Sequence, residues 1–166
     1  TQFRLLGSLG LREEHKVLDF GCGSLRAGRL LIPYLNSGGY FGVEPNMDLV
    51  DDGIDANLGR QIIELKKPSF SSSDNFTVPF GDTKFDFIVA QSIFSHTGQD
   101  LLVKALDAFS RALNKGGVVV ATFVEGKTDF PGADWIYPGT VTFKRKTIFR
   151  LAKDAGFHCR RLRWFH

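Results

Sequence analysis

Val17-Leu18-Asp19-Phe20-Gly21-Cys22-Gly23-Ser24-Leu25-Arg26 is the stretch on which the fold turns. A short apolar run enters a glycine cluster. Two glycines let the backbone turn sharply and let a ligand approach the main chain closely. Residues Arg26 to Leu35 then place Ala27, Leu30, Leu31 and Tyr34 on one helical face, with Pro33 marking a kink or the last turn. A helix starting after Ser24 would aim its free N–H groups and positive dipole end at a ligand over the turn. A dinucleotide fingerprint wants a third glycine where Arg26 stands and an apolar residue in place of Asp19. An acid at Asp19 suits a ligand with a cationic end.

The same alternation continues outward. Before the turn, Phe3, Leu5, Leu6, Leu9 and Leu11 have helical spacing. After it, Asn36-Ser37-Gly38-Gly39 stops the helix, and Tyr40-Phe41-Gly42-Val43 reads as a strand ending at Glu44-Pro45. Residues 46–65 read as helix in two pieces divided near Asn57–Gly59, and Ser69–Ser72 as a weak strand. Phe85-Asp86-Phe87-Ile88-Val89-Ala90 reads as a buried strand, Asp100 to Leu113 as an amphipathic helix, and Val118 to Val124 as a fully buried strand. Asn114-Lys115-Gly116-Gly117 reads as the stop of that helix. A Gly/Pro-containing loop over 126–139 precedes a helix at Lys146–Ala155, and Phe157–Trp164 closes as a sixth strand. Strands alternating with helices predict an α/β domain with a central, mostly parallel sheet flanked by helices on both faces. In such sheets ligands sit beyond the carboxyl ends of the strands.

The residues after each strand carry the chemistry. Glu44, about 20 residues beyond the glycine turn, can accept both hydroxyls of a ribose. Asp74, with Asn75 beside it, can accept from an adenine amino group while a backbone N–H donates to the ring. Gln91 and Ser92 follow the fourth strand. Taken in order, Val17–Gly23, Gly42-Val43-Glu44-Pro45, Phe85–Ala90 and Leu113–Gly117 resemble the motifs of the class I S-adenosylmethionine-dependent methyltransferases. The resemblance spans about residues 3–165; Leu25 departs from it, standing where many members carry a further glycine.

What the resemblance implies is a Rossmann-like methyltransferase fold lacking its last antiparallel strand in these residues, so six strands, with the first and fourth central. It implies S-adenosylmethionine as cofactor and S-adenosylhomocysteine as product. Asp19, Gly21, Cys22, Gly23, Arg26, Glu44, Pro45, Asp74, Asn75 and Gln91 would surround the cofactor. Arg26 reads equally as a surface helix residue or as a contact to the methionine carboxylate, and Cys22 as a small residue in a tight turn. His96 is the histidine just after a central strand. It reads as a base or substrate contact, or as a satisfied loop histidine. An Asn/Asp-Pro-Pro-aromatic motif is missing where Ala90-Gln91-Ser92-Ile93 stands, which disfavours adenine-N6 chemistry. The loop Gly126–Gly139, with Phe130, Trp135 and Tyr137, is a substrate wall or a packed loop core.

Composition sets the outer bounds. A length of 166 residues fits one domain, 1–166. Apolar residues make up 43% and charged residues 23%, so a packed core is expected and disorder is not. The apolar runs 118–124 and 87–90 fall short of the ~18–20 residues a bilayer span needs. Net charge is 21 − 18 = +3, with the basic excess in Lys144-Arg145-Lys146 and Arg160-Arg161-Leu162-Arg163. No nucleic-acid-binding signature accompanies it. Two cysteines and scattered histidines predict neither a disulfide framework nor a metal site. The expected partner is a small molecule, the expected compartment the cytoplasm. The oligomeric state is open. The chain begins without Met and stops inside an apparent strand, as a piece of a longer sequence would. Two other readings stand beside methyl transfer. One is a cofactor-binding module of the same fold without turnover; the other is an NAD-dependent oxidoreductase.

Overall fold

The computed structural model describes residues 2–162. In chain order the elements are α1 (Gln2–Ser8), β1 (Val17–Phe20), α2 (Gly28–Tyr34), β2 (Tyr40–Val43), α3 (Met47–Asn57), α4 (Arg60–Lys66) and β3 (Ser69–Ser71). Then come β4 (Phe85–Ala90), α5 (Gln99–Ala112), β5 (Leu113–Ala121) and α6 (Arg145–Asp154). The sheet runs β3-β2-β1-β4-β5 with every pair parallel. The chain winds outward from β1 to β3 and resumes on the other side with β4. The strand order therefore switches between β1 and β4, and the loops after these strands meet at the ligand-binding end.

The sheet is covered on both faces, as alternation along each strand requires. Leu18, Phe20, Val43, Ile88 and Ala90 pack with Leu102, Leu106 and Phe109 of α5 and Ile148 and Leu151 of α6. Val17, Tyr40, Phe87 and Val89 point the other way, into Leu6, Leu31, Ile32, Val50 and Ile54 of α1, α2 and α3. Phenylalanines fill the first core: Phe20 meets Phe109 edge-on at 5.0 Å, and Phe41 meets Phe85 at 5.1 Å. The break between α3 and α4 falls where glycine permits it, with Gly59 at φ +84°. Asn46 caps α3, its side chain accepting from the Asp48 N–H at 3.2 Å.

Four expectations need correction. The strand expected over Phe157–Trp164 does not form in its described part. Residues 157–162 have no ladder partner, and His158 to Leu162 are all exposed; Arg163 and Trp164 lie outside the described residues. The sheet among the described residues therefore has five strands, not six. The helix stop and the following strand merge: α5 ends at Ala112, and β5 takes in Leu113–Gly117 through an irregularity against β4 between Phe85 and Phe87. Val118–Val120 are half-buried rather than fully buried, because β5 is an edge strand here. Finally, the helix expected directly after Ser24 begins at Gly28. Leu25 sits at φ +58°, a left-handed conformation that helical geometry excludes. With α2 only seven residues long, the dipole argument for that helix falls.

The basic run 144–146 serves as a solvated helix start. Arg145 pairs with Glu125 at 2.9 Å, and Asp129 accepts from the Lys144 N–H at 2.7 Å and the Thr147 hydroxyl at 2.9 Å. No helix among the described residues is long and apolar enough to cross a membrane.

Candidate active site

The glycine turn forms at the carboxyl end of β1 and is stitched to β2. The N–H groups of Gly21 and Cys22 donate to the Val43 carbonyl at 2.8 and 3.1 Å. Glu44 completes the seam. Its Oε2 accepts from the Gly23 N–H and its Oε1 from the Asn46 N–H, each at 3.0 Å. A carboxylate offers about four acceptor positions, two per oxygen, so one on each oxygen stays available to a pair of hydroxyls. Gly21 (φ +79°) and Gly23 (φ +50°) take backbone angles that favour glycine. They differ in surroundings. A Cβ on Gly21 would lie 2.1 Å from Ile93 Cδ1, whereas one on Gly23 meets nothing within 4 Å. Ile93, in the loop after β4, roofs the first glycine, and the second opens outward.

Leu25 holds the turn from below. Its side chain is fully buried, and that burial offsets a left-handed angle that costs roughly 1–2 kcal/mol. Gly53 of α3 supplies the close approach on the other side. A Cβ there would stand 2.5 Å from the Ser24 carbonyl oxygen. The sequence reading missed this glycine; its only signal was a Gly inside a helical pattern. Gly53→Ala gains up to ~1 kcal/mol of helix propensity but meets backbone, which cannot swing aside. Overpacking of this kind costs typically about 1–3 kcal/mol. We expect a net destabilisation and a Tm roughly 2–6 °C lower in thermal melts; an equal or higher Tm would show that α3 yields without cost.

Asp19 lies under the turn rather than on its open side. It shares a strand face with Val17, the residue is 4% exposed, and its carboxyl accepts from the Tyr40 hydroxyl at 2.8 Å. Desolvation raises its pKa from the ordinary 3.8 to about 6; the Tyr40 hydrogen bond pulls it down and the Glu44 charge pushes it up. The Tyr40 hydroxyl fits because α2 begins with Gly28, where a Cβ would lie 3.0 Å from it. Cys22 is buried too. Desolvation, then the charges of Asp19 and Glu44, push its thiol far up, so it is no nucleophile and packs as a small residue.

The other expected residues spread along the rim. Arg26, Pro45, Asp74 and Gln91 are exposed. The Asn75 side-chain oxygen Oδ1 accepts within its own loop from the Thr77 N–H at 3.1 Å and the Ser73 hydroxyl at 2.9 Å. That loop turns inward at Phe76 (φ +57°), which packs on Phe20 at 5.9 Å and on Trp135 at 6.1 Å. Across the switch point, the His96 N–H donates to the Ile93 carbonyl at 3.0 Å. Its Nδ1 lies 2.6 Å from the Gly139 carbonyl oxygen. A carbonyl only accepts, so Nδ1 carries the hydrogen, and in the neutral ring Nε2 keeps its lone pair. The structure thus gathers Gly21, Gly23, Glu44, Ile93, Phe76 and His96 around the ends of β1, β2 and β4. Among the described residues no group of three or more His, Cys, Asp or Glu side chains is placed to hold a metal ion.

Comparison with known proteins bears on the family and the fold. Residues 18–119 match the model of a methyltransferase domain family. An uncharacterised methyltransferase of Schizosaccharomyces pombe is 29% identical over 112 residues, which covers 66% of this chain and 40% of that protein. The chain therefore spans well under two thirds of that curated relative. Among solved structures, a TehB-like S-adenosylmethionine-dependent methyltransferase of Corynebacterium glutamicum superposes with a TM-score of 0.63. The identity is 23%, over 92% of this chain and 70% of that one. A magnesium protoporphyrin IX methyltransferase of Synechocystis, solved with bound S-adenosylmethionine, superposes at 0.70 with 14% identity, over 96% of this chain and 66% of that one.

Proposed function

Because the chain belongs to the family of methyltransferase domains, we propose that it binds S-adenosylmethionine at the β1–β2 seam and directs methyl transfer to a small-molecule nucleophile. The observation that carries this reading is the pairing of an outward-open Gly23 with Glu44, whose carboxylate spans the ends of β1 and β2 and keeps acceptor capacity. These residues suit the cofactor: a glycine whose missing Cβ leaves room, and an acid placed for a ribose diol. When bound, S-adenosylmethionine supplies an electrophilic sulfonium methyl that is displaced in line, leaving the neutral thioether S-adenosylhomocysteine.

The chain's own residues bind, orient and exclude water. Gly21, Cys22 and Gly23 present backbone to the methionine portion, with Arg26 at the rim for its carboxylate and Asp19 as the buried charge beneath. Glu44 and Pro45 border the ribose. Asp74, the neighbouring Asn75 and Gln91 border the adenine. His96 Nε2 is the acceptor for a proton leaving the nucleophile. A cytoplasmic setting fits this reading.

Calorimetry with S-adenosylhomocysteine tests the binding, and a methyl-transfer screen over small-molecule acceptors tests the turnover. Glu44→Gln keeps the size but loses the charge. It should weaken S-adenosylhomocysteine by about 1.5–3 kcal/mol, roughly tenfold or more in Kd. Unchanged affinity would remove Glu44 from the site. A rise in Tm with NAD and none with S-adenosylhomocysteine would overturn the reading.

A further inference from the structure

Beyond the glycine turn stands a group of rings that cofactor binding does not explain. Trp135 and Tyr137 lie nearly parallel, 17° apart with centroids at 6.4 Å, and they are 43% and 67% exposed. Large aromatic side chains seldom stay exposed side by side without a use. His96 stands steeply inclined to both, at 5.6 Å from Trp135 and 5.1 Å from Tyr137.

These rings are held in place, not loosely displayed. Four contacts lace their loop to the segment after β4. The Ile136 N–H donates to the His96 carbonyl at 3.0 Å, the Val141 N–H to Ser95 at 2.8 Å and the Gly98 N–H to Asp134 at 2.9 Å; the His96 ring donates to Gly139. Gly98 permits the approach, since a Cβ there would fall 2.3 Å from the Ala133 carbonyl carbon. The rings are also linked to the glycine turn through two intermediate residues. Ile93 roofs Gly21 and accepts from His96, while Phe76 bridges Phe20 at the end of β1 to Trp135.

We propose that Trp135 and Tyr137 form a stacking platform for a flat aromatic methyl acceptor that carries a hydroxyl group, with His96 Nε2 accepting the hydroxyl proton. This deepens the methyltransferase reading and rests on it. Two near-parallel, preordered ring faces favour a planar partner. The lone pair on Nε2 selects a partner with a hydrogen to donate, which a quaternary ammonium lacks. In the transfer, the O–H proton passes to Nε2, the oxygen pair forms the new O–C bond to the sulfonium methyl, and the C–S pair leaves with sulfur. The products are an aryl methyl ether, S-adenosylhomocysteine and an imidazolium that returns its proton to water.

The probe is 2-naphthol, with fully saturated 2-decalol as its non-planar counterpart. Binding to the whole chain is followed by saturation-transfer NMR with S-adenosylhomocysteine present, whose own binding is measured by calorimetry. 2-Naphthol should bind at least fivefold more tightly than 2-decalol. Trp135→Ala and Tyr137→Ala should each weaken it fivefold or more, and Trp135→Phe by less than twofold. S-adenosylhomocysteine affinity should stay within twofold throughout. The nitrogen-15 signal of His96 Nε2 should shift on adding 2-naphthol and stay put with 2-decalol. The platform is overturned if S-adenosylhomocysteine binds while 2-naphthol does not, if 2-decalol binds equally well, or if Trp135→Ala changes nothing. If 2-naphthol binds through Trp135 but S-adenosylhomocysteine fails to bind, the platform stands and the cofactor reading falls.

Discussion

Gly23→Val is expected to abolish S-adenosylhomocysteine binding, a loss of at least 100-fold in calorimetry, while the domain stays folded. Two facts separate these effects. The backbone at Gly23 has φ +50°, so a β-branched side chain there is strained by roughly 1–3 kcal/mol. A domain with about 5–15 kcal/mol of stability survives that. The new side chain meets no protein atom, because a Cβ at this position has nothing within 4 Å. On the proposed reading it projects instead into the space of the methionine portion. Gly21 is a poorer probe, since a Cβ there strikes Ile93 and mixes repacking with occlusion. Gly81→Val is the matched control. Its φ is +58°, its Cβ also meets nothing, and it adjoins Phe80, which packs near the opposite end of the sheet at Phe85. The control should share the strain and keep the binding. Circular dichroism reports the fold of both variants. A folded Gly23→Val chain that still binds would remove the glycine turn from the site.

The outcome at Gly23 bears on how much of this protein its sequence displays. Strand-turn alternation was legible because short continuous apolar runs and glycine punctuation are local properties, and the split at Gly59 was readable for the same reason. The ends of β1, β2 and β4 followed from it, and with them Gly23, Glu44 and His96. Partnership across the fold was not legible. Asp19 pointed toward a ligand when read beside the glycines, but strand parity turns its carboxyl to the face that α2 and α3 cover, where Tyr40, twenty-one positions away, meets it. Leu25 was seen as a departure from a motif. Its positive φ, tolerated because the side chain is wholly buried, appears only once the core exists. Gly53 stands inside a helical pattern and Gly98 just ahead of one, and both are points of close approach to backbone, at Ser24 and Ala133. The failure at Phe157–Leu162 has a related cause: a strand needs a partner edge, and apolar content alone does not supply one.

Tyr40→Phe should destabilise the protein strongly at pH 7.5 and only weakly at pH 4. Asp19 is buried, and the Tyr40 hydroxyl is its hydrogen-bond donor at 2.8 Å. Its pKa rises from 3.8 to about 6 on folding, chiefly by desolvation. The folded state therefore holds more protons than the unfolded state between about pH 4 and 6. Stability falls as pH rises through that window and is level above it. Two pKa units correspond to roughly 3 kcal/mol. Above pH 6 the buried group is a carboxylate, and the tyrosine hydrogen bond to it contributes on the order of 1.5–3 kcal/mol. Phenylalanine withdraws that bond from the charged form, so the variant should lose about that amount at pH 7.5 in urea melts. At pH 4 the carboxyl is protonated, the bond is between neutral groups, and the loss should fall to ~1 kcal/mol. Asp19→Asn gives the complementary result. Its amide oxygen can still accept from Tyr40, nothing titrates, and the decline between pH 4 and 6 should flatten. An equal cost of Tyr40→Phe at both pH values would mean that the hydroxyl acts through packing alone and that Asp19 carries no buried charge for the turn above it.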